Sequence, residues 1–228
     1  MPPEPAMHVT ETIKNRISTR AFLSTPVPES TVRELLEVAR WSPSGGNLQP
    51  WKVIVVAGKA KDEVIALSKK VPGLVPNEDA ERPVYPPNLW EPYRSRRYKV
   101  GEDMYALLGI PREDKMGRLR QVANNFEFFG APVGVFFIID ERMGHGQWAH
   151  MGMFMQSLAL VAQERGLATC FQEFWGMLRT TLKAHFQLAE HEMVYCGMAL
   201  GHADPNAKVN TLRSDRVNVD EFASFRYE

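Results

Sequence analysis

Ser42-Pro43-Ser44-Gly45-Gly46-Asn47-Leu48-Gln49-Pro50-Trp51 carries too much chemistry to be a mere connector. It lies between Val32, Leu35, Leu36 and Ala39, which recur at helical spacing, and the β-branched run Val53 to Val56. Two prolines fix φ, adjacent glycines admit backbone conformations closed to other residues, and Ser42, Ser44, Asn47 and Gln49 offer hydrogen bonds at a turn. Such a loop can lay its backbone against a flat polar ligand. Upstream, Arg16-Ile17-Ser18-Thr19-Arg20 places two guanidiniums around a hydroxyl. That combination suits a phosphate, because arginine donates in a planar fork. Together the two segments point to a phosphorylated, planar cofactor.

The composition sets bounds on everything else. A chain of 228 residues with 44% hydrophobic content can bury a substantial core in one domain, residues 1–228. Basic and acidic residues balance at 27 each, so no net field draws the protein to nucleic acid or an anionic membrane, and any anion site must be local. No apolar stretch approaches the ~20 residues that span a bilayer. Met1 to His8 lacks the basic and apolar regions of a signal peptide, which makes the cytoplasm the expected compartment. Cys170 and Cys196 both sit in apolar surroundings, as buried free thiols do.

Along the chain, Pro28 and the Thr31-x-x-Glu34 pair are expected to open a helix that Pro43 stops. Strands are expected at Val53–Val56, Val133–Ile139 and Val194–Leu200; their near-continuous apolarity predicts a sheet covered on both faces. Helices are expected at about Tyr93–Leu108, Arg112–Phe128, Gln147–Arg165 and Met177–Phe186. Few strands among many helices indicate an α+β sandwich. Val71 to Pro92 holds six prolines and little periodicity, so residues 71–110 read as an irregular and then helical insertion. It is either a lid or a passive surface segment, and Trp90, Tyr93 and Tyr98 suit stacking or interface packing equally.

The paired motifs, Arg16/Ser18/Arg20 and then Pro43 to Trp51, resemble the FMN-dependent nitroreductase family. The likeness continues through Asn124, Phe129–Pro132, Gly166–Cys170, Gly197–Gly201 and the tail from Asn210 to Phe225, and so covers nearly the whole chain. It implies an α/β sandwich with a mainly antiparallel central sheet flanked by helices, assembled as an intertwined homodimer. It implies FMN as cofactor, with Arg16 and Ser18 at its phosphate and Arg20 near the ring edge where the reduced flavin gathers negative charge. Arg216 completes the phosphate site by the same likeness, with Arg213 the second candidate. Pro43, Ser44, Gly45 and Asn47 correspond to a loop contacting the partner subunit's flavin; proline and glycine alone would explain only a helix-stop turn. Asn124 corresponds to an asparagine on the pyrimidine edge, with its neighbour Asn125 leaving the register open by one. Gln172 and Glu173 follow the strand that presents a backbone N–H to flavin N5, and Glu173 also suits the first turn of a helix starting near Trp175. Asp215 is placed to neutralise one of its flanking arginines. The tail ending in Phe222 and Phe225 would reach across the partner.

Competing signals lead elsewhere. His145 and His150, five apart, do not share a helix face as a zinc pair would. Arg94, Arg96, Arg97 and Lys99 with Tyr93 and Tyr98 resemble a nucleic-acid patch, but one short basic run in a neutral chain is ordinarily a solvated helix face or a site for an acidic substrate group. Neither glycine-rich nucleotide motif is present, so NAD(P)H is expected as a visiting substrate. The resulting expectation is transfer of hydride from NAD(P)H through flavin N5 to a nitroaromatic, quinone or similar planar acceptor, by a ping-pong mechanism. No side chain is assigned as nucleophile or metal ligand. Reductive dehalogenation, enone reduction and a non-catalytic flavin-binding role stay open on the same scaffold.

Overall fold

The structure, a computed structural model, describes residues 8–78 and 83–227. The reading of the amino end before His8, and the part of the Val71–Pro92 segment at residues 79–82, lie outside the described residues.

A four-stranded antiparallel sheet runs in the order β1-β2-β4-β3, with β1 Lys52–Ala57, β2 Val133–Asp140, β3 Ala168–Gln172 and β4 Glu192–Gly201. The central pair obeys the two-faced expectation. On β2, Val133, Val135, Phe137 and Ile139 face one core layer, while Phe136 and Ile138 face the other. Edge strand β1 departs from it: it pairs with β2 on one side alone, Val55 keeps 39% of its surface exposed and, within the strand, only Val56 is buried.

One layer is built from α2 (Glu29–Ala39) and α6 (His145–Glu164), which pack against each other and the sheet through Leu35, Met151, Phe154 and Leu158. Pro28 is the N-cap of α2; Thr31 lies inside the helix, so the expected Thr31–Glu34 capping box does not form. The opposite layer is aromatic. Trp175 stacks on Phe128 at 4.8 Å, and both lie over glycines of the sheet. A Cβ on Gly197 would stand 2.3 Å from Trp175 Cδ1, and one on Gly134 would stand 2.4 Å from Phe128 Cζ. Side chains there would expel the rings from the core.

Two helices are shorter than their sequence pattern suggests. Asp114 caps α5 by accepting from Gly117 N–H at 2.7 Å, so the helix spans Lys115–Ala123 instead of starting at Arg112. It then tightens into a 3-10 segment, Asn124–Gly130, in which Phe128 and Phe129 adopt left-handed backbone (φ 52° and 51°). Burial of Phe126, Phe128 and Phe129 within four residues needs that reversal, since an α-helix would leave one of them facing water. Likewise a 3-10 segment, Glu173–Leu178, precedes α7 (Arg179–His185), in place of one helix from Met177 to Phe186.

The remaining helices are α1 (Val9–Asn15), α3 (Gly58–Ser68) and α4 (Tyr93–Leu108). Helix α4 has the predicted bounds, ends at Gly109 with φ 66°, and contains no buried residue. It forms one wall of a cleft that Cys170 and Phe171 of β3 also line. The irregular loop before it is pinned by Glu78, whose carboxylate accepts from Thr181 N–H and Oγ1–H at 3.0 and 2.5 Å. No helix among the described residues is long and apolar enough to cross a membrane.

Candidate functional site

Long-range pairing assembles the site. A parallel bridge sets Ser18 beside Thr169 at the start of β3, and Thr19 N–H donates to the Thr169 carbonyl at 3.0 Å. Asn210 then clamps the tail onto this segment: its Oδ1 accepts from Arg20 N–H at 2.9 Å, and its Nδ2 donates to the Ala21 carbonyl at 2.9 Å. Arg16, Ser18, Arg20, Arg213 and Arg216 are thereby brought around one cavity of about 400 Å³.

This cavity is strongly cationic. Arg16 is half-buried, and burial first, then the charge of Arg216, pull its pKa below the usual arginine range. Its Nε is buried with no hydrogen-bond partner among the described residues. A desolvated guanidinium beside another cation is unfavourable unless an anion fills the gap. Arg213 and Arg216 occupy themselves with the carbonyls of residues 210, 212, 214 and 215 at 2.8–3.2 Å. Asp215 does not neutralise either of them; it pairs with Lys99 of α4 at 2.9 Å.

Arg20, Val100 and Leu212 form a wall shared with a second, larger cavity of about 660 Å³. Its inner end is made by Cys170, Phe171 and Glu173 from the end of β3, and by Asn125 and Phe129. Of the two asparagines, Asn125 lines this space, while Asn124 is exposed and donates to Gln121 Oε1 at 3.1 Å. Gln172 is 1% exposed and does not line the cavity; it holds the backbone of Asn125 by a 2.7 Å bond from Nε2. Glu173 is exposed at the cavity surface, yet loss of part of its water shell raises its pKa. Burial likewise raises the pKa of Cys170, which is a free thiol, as is Cys196.

The outer wall contains Tyr98, noted from the sequence as a stacking candidate, and Glu102, Tyr105 and Tyr85, which the sequence reading did not single out. Tyr98, Glu102 and Tyr105 recur at i, i+4 and i+7 on one face of α4, a periodicity visible in the sequence. Arg118 binds Glu102 through both nitrogens at 2.5 and 3.0 Å and lies 4.3 Å from the Tyr105 ring centre. Tyr85 and Val84 come from the irregular loop, so the 71–110 segment supplies cavity wall. The basic run of α4 is partly paired: Arg94 with Glu91 at 2.8 Å, Lys99 with Asp103 at 2.7 Å.

Pro43, Ser44, Gly45 and Asn47 line neither cavity. Their loop stands on the opposite layer, anchored by Trp51 stacked on Phe154 at 4.9 Å and by Gln49 N–H bonding Ser44 Oγ at 3.0 Å. Gly46, Asn47 and Gln49 have φ of 60°, 56° and 48°, in the left-handed region, and the loop from Gly45 to Gln49 is exposed. His150 of α6 supports the loop, its ring 3.4 Å from Gly45 N. Among the described residues no group of three or more His, Cys, Asp or Glu could hold a metal.

The two joined cavities form one cleft, cationic at one end and aromatic at the other. That arrangement, with the buried Arg16 Nε unpartnered among the described residues, fits the phosphate and ring of a flavin mononucleotide. Residues 13–202 match the nitroreductase family. The chain is 38% identical to 4-nitrobenzoate reductase of Pseudomonas putida over 215 residues, 93% of each chain. It is 34% identical to nitrobenzene nitroreductase of Ectopseudomonas oleovorans over the full length of both. Its structure superposes on that of the FMN and NADPH-dependent nitroreductase NfnB from Sphigopyxis sp. strain HMH with a TM-score of 0.90 at 38% identity, covering 97% of this chain and 100% of that one.

Proposed function

The chain belongs to the nitroreductase family, and from that premise we propose that it is an FMN-dependent oxidoreductase passing hydride from NAD(P)H to a nitroaromatic, quinone or similar planar acceptor. The observation that carries the proposal is the continuous cleft joined at Arg20, Val100 and Leu212. FMN bound there supplies the redox chemistry, taking up and releasing hydride at N5.

The chain's own residues then have separable tasks. Arg16, Ser18, Arg213 and Arg216 hold the phosphate by charge-assisted hydrogen bonds. Arg20, on the wall between the cavities, places a positive charge at the ring edge. Asn125 takes the ring-edge hydrogen bond, in preference to Asn124. The backbone at Gln172–Glu173 orients the ring from the end of β3. Aromatic walls from α4 and Tyr85 favour flat acceptors and exclude water. Because coenzyme and acceptor would use one cleft, they alternate, which makes the kinetics ping-pong. The outward-facing Pro43–Asn47 loop serves the cleft of a second copy, so the working unit is a homodimer.

The test is spectroscopic. The purified protein should be yellow, acid should release FMN, and anaerobic NADPH or NADH should bleach the flavin band before an acceptor restores it. Recovery of FAD instead, or no flavin after reconstitution, would overturn the assignment.

A further inference from the structure

Among the described residues four arginines reach the larger cavity, and three of them are already engaged. Arg118 is bound by Glu102, Arg94 by Glu91, and Arg20 donates to the Ser18 carbonyl at 3.1 Å on the side of the cationic cavity. Arg97 is different. Among the described residues its guanidinium has no carboxylate partner and no hydrogen-bond acceptor; it lies over the Tyr85 ring, 4.2 Å from the centre. Stacking fixes the plane of the group and masks one face, while the N–H donors along its edge stay available.

We propose that Arg97 anchors a carboxylate on the acceptor, so that the cleft selects aromatic nitro compounds that also carry an acid group; this rests on the nitroreductase reading above. A carboxylate is planar, and its two oxygens match two parallel N–H donors of a guanidinium fork. The surroundings fit the rest of such a molecule. Arg97 stands where the main cavity meets two smaller hollows, one walled by Leu89, Trp90 and Tyr93, the other by Phe174 and Met177. An aromatic body can therefore lie against apolar walls while its acid group reaches Arg97. Glu173 enforces the direction: its carboxylate, at the inner end, repels a second carboxylate and leaves the outer end for the acid. The other anion that could come here is a phosphate of the coenzyme. A phosphate dianion gathers several donors, whereas Arg97 offers a single fork, uncommitted among the described residues, which suits a monoanion.

The experiment compares 4-nitrobenzoate with nitrobenzene as acceptors for the FMN-loaded enzyme and its Arg97→Met and Arg97→Lys variants, each with NADPH and with NADH. Benzoate binding, followed by the shift it causes in the flavin absorption band, is measured alongside as a readout independent of turnover. The ratio of kcat/KM for 4-nitrobenzoate over nitrobenzene should fall about tenfold or more in Arg97→Met, as expected for loss of a charge-assisted bond. Benzoate binding should weaken in parallel, and Arg97→Lys should lie between, since it keeps the charge but not the fork. An unchanged ratio overturns the proposal, and so does a fall in kcat/KM for NADPH and not for NADH with benzoate binding unaltered, which would assign the anion site to the coenzyme. If the wild-type protein reduces neither nitro compound while benzoate binding still depends on Arg97, the acid site stands and the nitroreductase reading falls.

Discussion

Gln172 Nε2 donates to the Asn125 carbonyl at 2.7 Å, tying the end of β3 to the 3-10 segment that follows α5. These two pieces of chain form the inner end of the larger cavity, and this part-buried hydrogen bond, with the contacts of Phe126 and Phe128 on Trp175, sets their separation. Gln172→Met preserves volume and removes the donor, leaving a part-buried carbonyl unsatisfied. The expected cost is about 1–3 kcal/mol, read as a lower denaturation midpoint together with faster flavin release. An unchanged midpoint would show that packing alone holds the two segments.

Arg20 should matter more for potential than for affinity. Its side chain is on the shared wall, and its backbone is held by Asn210, so Arg20→Ala removes charge while the segment stays in place. The two-electron reduction potential should become more negative, by about 30 mV for each 1.4 kcal/mol of lost interaction. Redox titration of the variant with an indicator dye checks this, and an unaltered potential would remove Arg20 from the role.

Acid should weaken the sheet end through Asp140. Its carboxylate accepts from Arg142 Nε and backbone N–H, both at 2.9 Å, and this pairing lowers its pKa from 3.8 to about 2. A carboxyl with a depressed native pKa stabilises the fold above its ordinary pKa and loses that contribution as pH falls toward the native value. Asp140→Asn should therefore lower the urea midpoint by a small, constant amount above pH 5, and the deficit should close between pH 4 and 2. A deficit independent of pH would mean that the charge is not its cause.

Complementation tests the sharing of sites between copies. One inactive variant altered at Pro43–Gly45 and another at Arg16 and Arg216 are mixed, partly unfolded and refolded together. If the loop serves the other chain's cleft, heterodimers recover one intact site and some flavin-dependent NADPH oxidation returns. Proven heterodimers without activity would contradict the shared arrangement.

Much of this was legible because local chemistry and tertiary structure agree. Helix α4 begins after Pro92 and ends at Gly109, both strong punctuation, and β2 and β4 read as continuous apolar runs because both faces are covered. The 124–130 segment was not legible. Phe126 and Phe129 are spaced as on one helix face, and what turns Phe128 into the same layer is the space over Gly134 and against Trp175, the latter a residue distant in sequence. The same holds within the site. Arg16 and Arg216 are recognisable as anion binders, yet their meeting depends on the Ser18–Thr169 bridge and the Asn210 clamp. Asp215 finds Lys99 and not a neighbouring arginine for the same reason: α4 crosses the tail there.

Helix α4 builds one side of the cleft without placing a single residue in the core. Substitutions along its inner face therefore change what the enzyme meets without disturbing what keeps it folded. A lineage carrying this scaffold has, in that face, a set of positions to vary apart from the packing beneath the sheet. Innovation is confined to a panel that the architecture can afford to rewrite.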